Sequence, residues 1–276
     1  MRATSSGGYR GPIRLAVFDM AGTIVDYGSR APAGVFEAVF ASRGVAITNR
    51  QARGPMGMAK RAHIAALAHD PAIAAVWRQV HGREATDGDI DGMYADFVPL
   101  QLECLAQHSD IIPGAVEAFA ALRDRGVKIA TTTGYSRRMT DIVLDAMRAQ
   151  ELTPDLAICA DDVPEGRPRP WMLFRCMERL DVSPPAAVVK VGDTIADIEA
   201  GLNAGVWTIG IARTGNLVGL SQDELKALPQ QASERCLEEA HAAMRAAGAH
   251  DVVDSVADCL PAIERFEMAL AEGGRP

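Results

Sequence analysis

The stretch Ile13-Arg14-Leu15-Ala16-Val17-Phe18-Asp19-Met20-Ala21-Gly22-Thr23 decides the fold. A short apolar run ends on a carboxylate and is followed by a glycine-containing turn. Such a run reads as a buried strand, and the tip of a buried strand in an open α/β sheet faces the crevice where ligands bind. Farther along, Val188-Val189-Lys190-Val191-Gly192-Asp193-Thr194-Ile195-Ala196-Asp197 repeats the arrangement. Between the two lies Pro55-Met56-Gly57-Met58-Ala59-Lys60, a lysine in a mostly apolar setting. A nucleophilic carboxylate, a carboxylate cluster suited to Mg²⁺ and an isolated amine together suggest cleavage of a bond to phosphorus with help from an imine.

Outward from the first strand, Ile13–Phe18, the pattern to Gln107 is helical. Ala33–Ser42, Met58–Ala68, Ala72–Val80 and Ile90–Gln107 carry apolar residues at three- and four-residue spacing. After Pro113-Gly114 strands and helices alternate. The expected elements are helix Ala115–Arg125, strand Val127–Thr132, helix Arg137–Ala149, strand Leu156–Cys159 and helix Trp171–Leu180. Strand Ala187–Val191, helix Ile195–Ala204 and strand Trp207–Ile211 follow. The segment Gln222–Ala247 reads as helical, polar and mostly peripheral, His250–Val253 as a short last strand and Val256–Leu270 as a closing helix. Alternation with near-continuous apolar strands argues for a parallel sheet covered on both faces. The expected fold is α/β: a Rossmann-like parallel-sheet core over residues 13–30 and 108–276, with a helical cap domain inserted at 31–107. Residues 1–12 read as a disordered tail with no apolar h-region.

Composition narrows the function. The 276 residues are 48% hydrophobic and 23% charged with a net charge of −8, and the pI is about 5.3. An acidic chain repels nucleic-acid phosphates, so no nucleic-acid partner is expected. No apolar run approaches a membrane span. The five cysteines lack CxxC or metal spacing and read as reduced thiols in a cytoplasmic protein.

The strand tips carry the chemistry. Parallel strands bring Asp19, Thr133-Gly134, Asp161-Asp162 and Asp193 to one edge. Carboxylates so close repel unless a cation sits among them, and hard oxygen ligands favour Mg²⁺. The plainer alternative is that each Asp caps the helix after it. Thr133 and Gly134 offer a hydroxyl and a backbone N–H to a phosphoryl oxygen, and Arg167, in a proline-stiffened loop, offers a bidentate grip. Lys60 is either a solvated lysine or, among Met56, Met58 and Ile64, a desolvated amine of lowered pKa, helped by Arg61 if the two side chains converge. His63, three residues on, shares its helical face.

These motifs resemble the haloacid dehalogenase-like superfamily and, within it, the phosphonoacetaldehyde hydrolase family. The likeness rests on Asp19-Met20-Ala21-Gly22-Thr23, Arg53-Gly54-Pro55-Met56-Gly57 with Lys60, Thr132-Thr133-Gly134-Tyr135, Arg167-Pro168-Arg169-Pro170-Trp171-Met172 and Lys190-Val191-Gly192-Asp193-Thr194. It implies Asp19 as nucleophile and Lys60 as imine former. It implies Mg²⁺ on Asp19, the Ala21 carbonyl and Asp193, with Asp197 in support. Thr133, Gly134 and Arg167 would hold the phosphonate, and His63, Met56 and Tyr135 would line the pocket. It also implies a small phosphonate substrate and a homodimer. Met20 and Ser29 depart from residues common in that family. Ala21 stands where phosphatases keep an acid to protonate a leaving alkoxide; an enamine leaving group needs none. The alternatives are a phosphatase or phosphomutase, which Ala21 opposes, a catalytically silent binding module, which intact Asp19, Lys60 and Asp193 oppose, and a metal-free dehalogenase.

Overall fold

The computed structural model describes residues 8–276. In chain order the elements are β1 (Leu15–Phe18), α1 (Arg30–Ala41), α2 (Asn49–Arg53), α3 (Lys60–His69), α4 (Pro71–His81), α5 (Asp87–Leu105), α6 (Ala115–Asp124), β2 (Lys128–Thr133), α7 (Arg137–Ala149), β3 (Leu156–Cys159), α8 (Trp171–Arg179), β4 (Val188–Gly192), α9 (Ile195–Ala204), β5 (Trp207–Ile211), α10 (Gln222–Ala227), α11 (Gln230–Ala246), β6 (Asp251–Val253) and α12 (Cys259–Ala271). The sheet is parallel throughout, in the order β3-β2-β1-β4-β5-β6. The strand order reverses between β1 and β4, so the crevice at their C-terminal ends is the natural ligand site.

Register levels the strand tips. Phe18 pairs with Thr131 on one side and with Val191 on the other. The next residues, Asp19, Thr132 and Gly192, therefore stand side by side, and the Asp19 N–H donates to the Val191 carbonyl at 2.8 Å. Alternation along β1 feeds two cores, one on each face. Ala16 and Phe18 join Ile129, Val189, Val191 and Ile209 under α6 and α12. Leu15 and Val17 join Ala130, Ile158 and Val188 under α8 and α9.

Helices α1–α5 occupy the stretch between β1 and α6. Two linkers carry the chain into and out of them. They run side by side: Asp26 N–H donates to the Asp110 carbonyl at 3.1 Å and Ile112 N–H to the Ile24 carbonyl at 2.9 Å. Within the insert Phe36 stacks on Phe97 and on His63. Asp70 caps α4, and a Thr86–Asp89 capping box starts α5.

The structure departs from the sequence expectations in four places. The helix α2 escapes the periodicity reading because it has only five residues; a Thr48–Gln51 capping box holds it. The helical segment expected over 222–247 is broken into two helices, because Pro229 forces Leu228 out of the helical region, to ψ 146°. The closing helix begins as a 3₁₀ turn, Val256–Asp258, before α12. Of the expected tail, residues 1–7 lie outside the described residues, whereas Tyr9 packs on both cores and donates to the Pro12 carbonyl.

Candidate active site

Tight turns bring each functional group to the crevice. After β1 the chain reverses so sharply that Gly22 sits at φ +81°, and a Cβ there would lie 2.1 Å from Asp193 Oδ2. Gly192 is equally constrained: a Cβ on it would lie 2.4 Å from Asp197 Cγ. These glycines let the carboxylates of Asp19, Asp193 and Asp197 converge. One oxygen from each lies within 4.8 Å of the others, and all three residues are buried.

The charges around this triad are unevenly balanced. Asp197 Oδ1 lies 2.6 Å from Arg167 Nη1 and 2.8 Å from Lys190 Nζ. Burial opposes its ionisation, but these two cations hold it below the ordinary carboxylate range. Asp19 Oδ1 accepts from Arg167 Nη2 at 2.5 Å. Asp193 has no cation within ion-pair reach among the described residues; it accepts only from Thr23 Oγ1 at 3.3 Å and from the Asn216 N–H at 2.8 Å. Burial, then Asp19, then Asp197 push its carboxyl well above the ordinary range. A dry cluster of hard oxygens with one uncompensated member fits a divalent cation. Arg167 is itself buried, and its Nε has no partner among the described residues, a donor free for an anion. Burial opposes its charge, but Asp19 and Asp197 hold its pKa above the ordinary value.

Across from the triad stands Lys60, at the first position of α3 and buried. Its Nζ lies 4.8 Å from the Tyr135 ring centroid and 5.7 Å from that of Phe36. No carboxylate is within ion-pair reach of Nζ among the described residues. Burial is the main cause that lowers its pKa to about 8, with Asp19 opposing. Arg61 contributes nothing here, contrary to the sequence expectation: it points outward to Asp91 at 2.6 Å and to Asp87. His63 is buried behind Lys60 and does not line the cavity. Its Nε2 lies 2.8 Å from the Ala52 carbonyl, and burial, then the charge of Lys60, lowers its pKa well below the ordinary value. The ring is therefore neutral, with Nε2 as donor and Nδ1 unpartnered.

The cavity that Lys60 and Asp19 both line is about 20 Å³, room for roughly one water. Asp19, Ala21, Met56, Lys60, Thr133, Gly134, Tyr135 and Arg167 all line it. Asp161 and Asp162, also expected at this edge, are elsewhere. They form a 3₁₀ turn after β3, where Asp161 accepts from the Arg137 N–H and Asp162 pairs with the Arg137 guanidinium and the Cys159 N–H. β3 is the outermost strand on its side, so its tip lies two strands from Asp19. Lys190 is the reverse case. It sits inside β4, where the sequence reading assigned it no role. It bridges Asp197 and Thr132 Oγ1, the latter at 3.0 Å. The signal was a lysine within an otherwise apolar buried strand.

The family model of the haloacid dehalogenase-like hydrolases matches residues 13–205, and a second one, HAD-hydrolase-like, matches 165–259. The chain belongs to the haloacid dehalogenase-like hydrolases. It is 42% identical over 264 residues to a protein named phosphonoacetaldehyde hydrolase from Paraburkholderia phytofirmans, covering 96% of this chain and 99% of that one. It is likewise 42% identical over 267 residues to the protein of that name from Bordetella pertussis, with 96% and 97% covered. Among solved structures, a phosphonoacetaldehyde hydrolase-like protein from Oleispira antarctica superposes with a TM-score of 0.96 at 36% identity, each chain covered completely.

The wall opposite Thr133 is backbone. A Cβ on Gly134 would lie 2.4 Å from the Met58 carbonyl oxygen. Gly134→Ala is expected to push the Gly57–Met58 loop, and Lys60 with it, away from the triad. A displacement of about 1 Å at a reacting group costs roughly 10²-fold in rate. Turnover should fall by that order in a variant that circular dichroism shows to be folded; wild-type turnover in that folded variant would contradict the closure described.

Proposed function

We propose that the protein hydrolyses the carbon–phosphorus bond of phosphonoacetaldehyde, giving acetaldehyde and phosphate. The observation that carries this is the pairing of a buried, desolvated Lys60 with Asp19 across one small cavity, beside Ala21. The relatives' names support the substrate. Helices of residues 31–107 serve as a cap over the core of 13–30 and 108–276, and the cap must open to admit substrate to so small a space.

In this reading the Lys60 amine attacks the aldehyde carbon and water leaves, forming a protonated imine. Arg167, the Thr133 hydroxyl and the Gly134 N–H hold the phosphonate oxygens in line with Asp19. Asp19 attacks phosphorus. The electron pair of the breaking P–C bond moves into the imine, so the leaving group is a neutral enamine rather than a carbanion. Protonation at carbon returns the imine, and water releases acetaldehyde. Water also cleaves the aspartyl phosphate. No acid is needed at position 21, which explains the alanine. Asp19, the Ala21 carbonyl and Asp193 would hold Mg²⁺, with Asp197 behind them; the ion supplies charge neutralisation between the carboxylates and the phosphonate. Met56 and Tyr135 close the apolar side of the pocket. His63, neutral and tied to the Ala52 carbonyl, seats α3 outside the cavity. A homodimer rests on the family likeness alone, and a cytoplasmic setting on the free cysteines.

Lys60→Arg keeps a cation but cannot form the imine, so phosphonoacetaldehyde turnover should fall by several orders of magnitude. For the wild type the free amine is the reactive form. With its pKa near 8, kcat/KM should rise with pH, level off above about pH 8 and drop about tenfold per unit on the acid side. Near-normal turnover in Lys60→Arg, or an acid limb centred near the ordinary lysine pKa of about 10.4, would sink the mechanism.

Ala21→Asp separates this reading from a phosphatase. It adds a fourth carboxylate to the crevice without helping an enamine to leave. Phosphonoacetaldehyde turnover should fall about 10²-fold, with at most a small gain on a simple phosphate monoester. If the wild type already prefers the ester and the variant improves it, the phosphonate reading is wrong.

A further inference from the structure

We infer that Arg53 and Asn216 are positioning residues that tie cap closure to the metal carboxylate Asp193, so that closing the cap tightens Mg²⁺ binding and Mg²⁺ binding closes the cap. Arg53 ends α2 in the cap; its Nε donates to Asn49 Oδ1 on the same helix at 2.7 Å, and both terminal nitrogens are spent on the core. Nη1 donates to the Gly28 carbonyl at 2.8 Å, the Ser29 carbonyl at 3.2 Å and Asn216 Oδ1 at 3.2 Å. Nη2 donates to the Gly219 carbonyl at 2.9 Å. The core loop is built to admit it: a Cβ on Gly219, at φ +68°, would lie 2.7 Å from Arg53 Nε.

Asn216 closes the circuit. Its Nδ2 donates back to the Arg53 carbonyl at 3.1 Å, so its side chain is held at both ends by one cap residue. Its backbone N–H donates to Asp193 Oδ2 at 2.8 Å. Cap and carboxylate are therefore two bonds apart. Asp193 is the one member of the triad without a cation in contact, so its orientation rests on this N–H and the longer Thr23 bond. When the cap lifts, the Nη1 and Nη2 bonds and the Nδ2 bond break together, and the loop that presents the Asn216 N–H loses its clamp. By reciprocity, an ion that prefers the oriented carboxylate favours the closed cap by the same factor. A side chain that only bolted two surfaces together would have no need of a partner whose own N–H reaches the site.

The inference takes from the proposed function that Asp193 holds Mg²⁺ and that residues 31–107 open and close as a cap, and its test needs no substrate. Full-length protein is titrated calorimetrically with MgCl₂ at constant ionic strength, and hydrogen exchange of residues 54–60 is followed with and without the ion. The variants are Arg53→Lys, which keeps the charge but loses the fork, and Asn216→Ser, which keeps the backbone N–H. Arg53 opens onto a groove of about 570 Å³, so water fills the space left by a shorter side chain. The expected result is a Kd for Mg²⁺ raised about tenfold in both, with the Mg²⁺-induced protection of 54–60 largely lost. If Arg53→Lys does not fold, Asn216→Ser decides. A Kd within about threefold of wild type, or Mg²⁺ protection unchanged, overturns the coupling while leaving the proposed reaction standing. A wild type that binds no Mg²⁺ overturns the metal reading and this coupling together, whatever its action on phosphonoacetaldehyde.

Discussion

Three carboxylates forced together in a dry crevice are the constraint on which the rest of the structure depends. Removing each ion from water costs several kcal/mol unless it is matched by charge and hydrogen bonds. Arg167 and Lys190 supply that match for Asp197, and Arg167 supplies it for Asp19. Asp193 is left to two hydrogen-bond donors. Crowding of the three carboxylates explains why Gly22, against Asp193, and Gly192, against Asp197, have no side chain, and the charge of Asp197 explains why Lys190 is tolerated inside a strand. The burden on Asp193 explains why a divalent cation is the economical completion of the site. An added cation leaves the crevice positive, which suits a phosphonate anion.

Lys60 belongs to the same electrostatic field but plays the opposite part. Burial strips its solvation, and the carboxylates are near enough to oppose this without forming a contact pair. The amine is thus kept reactive by distance. An ion pair with Asp19 would restore its charge and silence it as a nucleophile. The apolar walls of Phe36, Met56 and Tyr135 prevent that at one end, and Arg167, clamped to Asp19, prevents it at the other. The close backbone approach of Gly134 to the Gly57–Met58 loop then sets how far the amine stands from phosphorus in the proposed reaction.

Much of this was legible in the sequence because strand tips obey simple geometry. Asp19 and Asp193 follow apolar runs, and a parallel sheet delivers such residues to one edge. The same rule misplaced Asp161 and Asp162, since it does not say which strand lies at the sheet's edge; strand order is a tertiary fact. For Lys60 the sequence leaves a solvated and a desolvated lysine open, and the fold buries it; the part expected of Arg61 fails, because adjacent residues on a helix diverge. Lys190 was visible only as an oddity in a hydrophobic strand. Arg53 sat in a quoted motif without a role, since its partners are backbone carbonyls and a loop asparagine 163 residues away, for which no local pattern exists.

The central claim is that one substrate is held by Lys60 and attacked by Asp19, in that order. Borohydride trapping with phosphonoacetaldehyde, followed by peptide mass spectrometry, tests it most directly. Wild type should carry an ethyl group on Lys60, from reduction of the imine left after P–C cleavage. Asp19→Ala should carry a phosphonoethyl group on the same lysine, because the imine forms but the bond to phosphorus survives. An unmodified Lys60 in both proteins, with phosphate still released by the wild type, would contradict the account.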